Sequence, residues 1–168
     1  MEMTTEECKE IICQNYKEIY RFALYLTQQQ AAAEDLTQET FMAAWAKADT
    51  YRAKSTVKTW LHRIAYHKFI DSKRELNRQH SFLSQYEEGR QKDSDCPDPF
   101  QKVMVNDELR VLHKAMHRLE EPDYVCVLLH YIQGFSFRQV AGILDKPAGT
   151  VKWQINQALK KLRTFLAD

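Results

Sequence analysis

Glycine and proline are scarce, with only four of each in 168 residues. An all-β fold needs such residues at its many chain reversals, so their scarcity points to helices. No apolar run approaches the ~20 residues that a membrane-spanning helix requires. The opening MEMTTEECKE is acidic and lacks the basic-then-apolar order of a secretory leader, so a cytoplasmic protein is expected. The four cysteines, Cys8, Cys13, Cys96 and Cys126, include no C-x-x-C pair. Structural zinc usually draws on such pairs, and a cytosolic chain keeps no disulfides. His113/His117 and Cys126/His130 are spaced to present two donors each from one helix face, but no third anchor accompanies them. No metal or other cofactor is therefore expected. A phosphate-binding glycine loop and a nucleophile–base motif are also missing, so neither catalytic residues nor a small-molecule substrate is expected.

Positive charge is present but divided. The net charge is only +1, yet residues 1–51 hold four basic and nine acidic side chains, and residues 52–78 hold eight basic and two acidic. Residues 79–108 hold three basic and seven acidic side chains, and residues 109–168 hold nine basic and five acidic. Proteins that bind nucleic acid concentrate charge on one face or segment, so two basic blocks suggest two contacts with a polyanion.

Apolar periodicity predicts helices over residues 5–28, from about Ala31 to Ala48, and from about Thr56 to Arg78. Thr4-x-x-Glu7 has the form of a capping box before the first of these. The pattern fails from Gln79 to Pro99, a polar and acidic stretch, and resumes near Phe100 through Leu119 and from Asp123 to Gln133. The expected architecture is all-α: an N-terminal bundle over residues 1–78, a flexible acidic linker over 79–102, and a C-terminal bundle over 103–168.

The last thirty residues read as two short helices joined by a tight turn, the helix-turn-helix arrangement. Ser136-x-x-Gln139 supplies a second capping box, and Pro147 sits where a first-turn proline does no harm. At about 3.6 residues per turn, Val151, Ile155, Ala158, Leu159, Leu162, Phe165 and Leu166 share one arc of the second helix. The opposite arc carries Trp153, Asn156, Gln157, Lys160, Arg163 and Thr164. A large aromatic in a polar, basic face suits duplex DNA, which is anionic and has apolar groove edges.

Two further faces stand out. Asp35, Gln38, Glu39 and Met42 share one side of the second helix, either as a solvated surface or as a docking surface for a protein; Phe41, Ala44, Trp45 and Ala48 lie partly around from them as expected core. In the third helix Trp60, Arg63, His67 and Arg74 share an arc with Asp71, flanked by Lys54 and Lys58. Basic side chains interleaved with an aromatic suit single-stranded nucleic acid, whose phosphates take the charges while bases stack on rings at ~1–3 kcal/mol each. Burial in the core is the competing use for Trp60.

The stretches AEDLTQETFMAAW (33–45), KTWLHRIAYHKFID (58–71) and FSFRQVAGILDKPAGTVKWQINQALKKL (135–162), in that order, resemble the extracytoplasmic-function subfamily of sigma-70 RNA polymerase sigma factors. The resemblance implies an alternative sigma factor that directs core polymerase to a promoter set in response to stress or envelope signals. It implies that Asp35, Leu36, Gln38, Glu39 and Phe41, with Met42 beside them, dock on the β′ clamp helices, and that the β flap is a second contact on the polymerase. It also implies that the helix bearing Trp60, Leu61, Arg63, Ile64 and Ala65 opens and reads the −10 element, with Lys54, Lys58, His67 and Arg74 around it. Arg138, Thr150, Lys152, Trp153, Asn156, Gln157 and Lys160 fall in the helix-turn-helix that reads the −35 element in the major groove. An anti-sigma factor, commonly membrane-bound in this family, is an expected partner.

The chain departs from the family pattern at His67, where asparagine is usual, and at Gln139, where glutamate is usual. It departs again at Trp153, Gln154 and Gln157, where small or basic residues are common. Two other readings remain open at this level. One is a simple DNA-binding regulator; the other is a metal- or thiol-based sensor using His113, His117, Cys126 and His130.

Overall fold

The computed structural model describes residues 4–52, 54–83 and 107–167. They form seven α-helices: α1 (Thr5–Thr27), α2 (Gln30–Ala46), α3 (Val57–Leu83), α4 (Asp107–His117), α5 (Glu121–Val127), α6 (Phe137–Leu144) and α7 (Ala148–Ala167). A short 3-10 turn occupies Ala48–Thr50 and a π-helical turn occupies Leu128–Ile132. No strand occurs among the described residues, as the scarcity of turn-formers predicts. The chain divides into two compact units, residues 1–99 and 100–168.

In the N-terminal unit, α1, α2 and α3 pack against one another. The capping box at its start is present: the Thr4 hydroxyl accepts from the Glu7 N–H at 3.3 Å, and the Glu7 carboxylate accepts from the Thr4 N–H at 2.7 Å. Ile19, Phe22, Ala23 and Leu26 of α1 are buried together with Ala33, Leu36 and Phe41 of α2 and Leu61, Ile64 and Ala65 of α3. Each leucine- or phenylalanine-sized side chain removed from water contributes about 1.5–3 kcal/mol. Thr37 and Thr40 are buried too, and their hydroxyls donate to the carbonyls of Ala33 (2.7 Å) and Leu36 (2.6 Å), so no polar atom there is left unsatisfied.

In the C-terminal unit, α7 packs on α4, α5 and α6. Val151, Ile155, Ala158 and Leu162 form its buried stripe, beside Val125, Leu128 and Leu129 and beside Val140, Ile143 and Leu144. The second capping box is also present. Ser136 Oγ accepts from the Gln139 N–H at 3.2 Å, and Gln139 Oε1 accepts from the Ser136 N–H at 2.9 Å. Asp145 ends α6 in the left-handed region at φ 53°, which an aspartate tolerates better than most residues. Buried Asp123 of α5 accepts from Lys161 Nζ of α7 at 2.6 Å, tying the two helices together.

Several expected boundaries shift. α3 runs through Leu83, five residues beyond the predicted end at Arg78. The segment 79–83 has no apolar stripe, but it has no glycine or proline either. Pairs one turn apart support its helical course: Arg78 to Glu75 at 2.8 Å and Gln79 to Glu75 at 3.2 Å. The remainder of the expected linker, 84–102, lies outside the described residues, as does the first part of the helix expected from Phe100. The helix expected to reach Ala48 ends at Ala46 and tightens into the 3-10 turn. The helix expected over 123–133 starts at Glu121 and widens after Val127, where the Gln133 N–H donates to the Leu128 carbonyl five residues back at 2.9 Å.

Candidate functional site

The expected docking face on α2 separates into two layers. Asp35, Gln38, Glu39 and Met42 are exposed, Met42 to 65%. Leu36 and Phe41, named with them, are buried at 5% and 7% and hold the helix from beneath. Trp45 moves the other way. Expected as core, it is 46% exposed. Together with Ile12, Tyr16, Tyr20, Phe41 and Met42 it lines an open groove of about 840 Å³ between α1 and α2. Tyr16 stacks on Phe41 at a 5.9 Å centroid distance, fixing one wall. Tyr16 itself is 46% exposed.

On α3, Leu61, Ile64 and Ala65 face inward while Arg63, Asp71 and Arg74 are exposed and His67 is half-buried. Trp60 is half-buried, with its ring 5.0 Å from that of Tyr51 and tilted by 40°. The Tyr51 hydroxyl donates to the Ser55 carbonyl at 2.6 Å, which braces the loop leading into α3. Trp60 therefore supports that loop, and part of its surface remains accessible. Lys54 is exposed in the loop. Lys58 is engaged, its ammonium 3.1 Å from Glu18 of α1. Both side chains are about two-fifths exposed, and a pair of that kind contributes only ~0–1 kcal/mol. Such a cost does not prevent Lys58 from turning to a phosphate.

The helix-turn-helix consists of α6, the turn at Asp145–Pro147, and α7. Arg138, Thr150, Lys152, Trp153, Asn156 and Lys160 are exposed, and Gln157 is half-buried at the margin. Trp153 is 64% exposed, as the helix pattern predicts. Gln154 turns inward: its Oε1 accepts from Lys146 Nζ at 3.2 Å and from Cys126 Sγ at 3.6 Å. One of the three unusual residues of this helix thus serves the interior of the unit. Burial pushes the Cys126 thiol up to about 11, with nearby Lys146 opposing the shift. A thiol held neutral in this way is a poor nucleophile and a poor metal ligand. His130 is equally committed. Its Nδ1 lies 2.6 Å from the Phe135 carbonyl oxygen, and its ring stacks on Phe137 with centroids 4.4 Å apart. Among the described residues, no three histidine, cysteine or acidic side chains gather where one ion would sit. The four-residue sensor reading is not supported.

The exposed faces thus lie on the helices whose sequences resemble sigma factors, and comparison with known proteins decides the matter. The Sigma-70 region 2 family matches residues 11–79, and the Sigma-70 region 4 family matches residues 109–162. The extracytoplasmic-function sigma factor SigL of Mycobacterium tuberculosis is 30% identical over 154 residues, which is 89% of this chain and 83% of SigL. The chain belongs to the extracytoplasmic-function sigma factors.

SigE of Mycolicibacterium smegmatis, another member, is 30% identical over 161 residues, 94% of this chain; the chain spans 61% of the length of SigE. Among solved structures, the sigma factor RpoE of Bartonella quintana, determined with the anti-sigma factor NepR, superposes with a TM-score of 0.77 at 26% identity, over 95% of this chain and 96% of RpoE. α1–α3 thus correspond to region 2 and α4–α7 to region 4. Among the described residues, no helix is long and apolar enough to cross a membrane.

Proposed function

We propose that this sigma factor directs core RNA polymerase to its promoters through three faces, two on the first unit and one on the second. Asp35, Gln38, Glu39 and Met42 dock on the clamp helices of β′, with Leu36 and Phe41 holding α2 from beneath. Lys54, Lys58, Trp60, Arg63, His67 and Arg74 engage the opened −10 element, phosphates on the cations and an unpaired base against the open side of Trp60. Arg138, Thr150, Lys152, Trp153, Asn156, Gln157 and Lys160 meet the −35 duplex in the major groove. One observation carries the reading: both sigma regions match in order along one chain, residues 11–79 and 109–162. A regulator that only binds duplex DNA has no use for the α2 face. The protein acts without catalytic residues, in the cytoplasm, with residues 84–102 joining the two units. Because RpoE of Bartonella quintana was solved with an anti-sigma factor, a protein of that kind is the partner we assign as the off-switch.

Reconstituted transcription tests the proposal. Core polymerase with this chain is expected to give specific transcripts from a promoter selected in vitro, and core alone none. Tight duplex binding by the chain alone, with no specific transcript on adding core, would overturn it.

A further inference from the structure

We infer that His113 and His117 of α4 form a chelating site for a divalent transition-metal ion, with Ni²⁺ or Cu²⁺ favoured over Zn²⁺. The two Nε2 atoms stand 3.0 Å apart, and the rings meet edge to face at 79° with centroids 4.2 Å apart. One turn of helix therefore aims two imidazole nitrogens at each other. Without metal, a proton on one Nε2 bridges them; an ion between them takes both lone pairs, and the ring protonated on Nε2 shifts its proton to Nδ1.

The separation selects the ion. A metal about 2.0–2.1 Å from each nitrogen subtends an N–M–N angle of roughly 91–97° when the nitrogens are 3.0 Å apart. That is the cis angle of tetragonal and octahedral complexes, the geometry of Cu²⁺ and Ni²⁺ with nitrogen ligands. A tetrahedral Zn²⁺ site needs the nitrogens opened to about 3.3 Å.

Both rings are held in place before any ion arrives. His113 is buried beside Ala115 and Met116, and the His117 ring stacks on buried Tyr124 of α5 with centroids 5.3 Å apart and planes 29° apart. Little rotamer freedom remains to be lost on binding, which favours chelation. His117 is exposed, so the remaining coordination positions open to water. Two protein donors, where structural zinc sites have four, make the ion exchangeable. Neither histidine belongs to the promoter or β′ faces named above.

The test is isothermal titration of the full chain with NiCl₂ at pH 7.5, alongside His117→Ala and the control His80→Ala, which removes an exposed histidine from α3. Wild type and His80→Ala are expected to take one ion per chain at this site, with paramagnetic broadening of amide signals centred on residues 113–117. His117→Ala is expected to bind at least tenfold more weakly and to lose that broadening. Its melting curve in the absence of metal is recorded beside wild type, because the ring stacks on Tyr124 and bonds to His113; should it fall, His117→Gln takes its place. Absence of Ni²⁺ binding by wild type, or undiminished binding and broadening in the His117 variant, would refute the site and leave only a histidine–histidine hydrogen bond.

Discussion

Trp153 and Ile155 are two residues apart on α7 and do opposite work, which makes them a paired test of how this helix is used. Ile155 is 1% exposed, against the cores of α5 and α6. Truncating a buried isoleucine to alanine costs about 2–5 kcal/mol, since transfer energy is lost and a cavity remains. In a domain of this size each kcal/mol lowers the melting temperature by roughly 4–8 °C, so Ile155→Ala should melt the C-terminal unit at least ~10 °C early. Trp153 is 64% exposed. Its truncation should change stability by no more than about 0.5 kcal/mol, the ordinary limit for a surface site. Its cost should appear on DNA instead. If the indole packs on a thymine methyl or groove edge, its loss should weaken discrimination at one −35 position by about 1 kcal/mol or more, roughly fivefold. The assay is holoenzyme transcription from promoters altered one base pair at a time across the −35 element, beside thermal melting of each variant. The reasoning is refuted if Trp153→Ala lowers the melting temperature by several degrees, or if it transcribes every altered promoter as wild type does.

Glu39→Arg reverses charge on an exposed face and should weaken binding to core polymerase while leaving both units' melting unchanged; pull-down against immobilised core checks it. Asp123→Asn removes the charge that Lys161 meets at 2.6 Å and should destabilise the C-terminal unit, read as a lower urea midpoint. The Cys126 thiol titrates near 8.5 in an unfolded chain and at about 11 in the folded one, so the fold favours its neutral form. The stability it contributes is complete below pH ~8.5 and is lost progressively as pH rises toward 11. Cys126→Ala should flatten that part of the stability profile. In native protein at pH 8, exposed Cys13 should react with a thiol reagent well before buried Cys126 does, and mass mapping of the labelled peptides would show the order.

What was legible in the sequence is what local chemistry controls. The two capping boxes, the sides of α7 and the exposed Trp153 follow from hydrogen-bonding side chains at fixed offsets and from the helical period. The scarcity of glycine and proline likewise leads to an all-α chain. The order of three motifs was enough for the family, because docking, −10 and −35 faces each need particular residue types at helical spacing.

Tertiary packing decided the rest. Leu36 and Phe41 share a motif with Asp35 and Glu39, but α1 and α3 close over the first pair and leave the second in solvent. Trp45 continues the apolar side of α2 and is nonetheless 46% exposed, at the edge of the groove between α1 and α2. Gln154 lies among residues of the reading helix, yet Lys146 and Cys126 draw it inward. The i,i+4 spacing of His113 and His117 is written in the chain, but the Tyr124 ring stacked on His117 comes from another helix, α5. Period and spacing determine which side of a helix a residue takes. Which sides are covered depends on neighbours distant in sequence, and no local pattern encodes them.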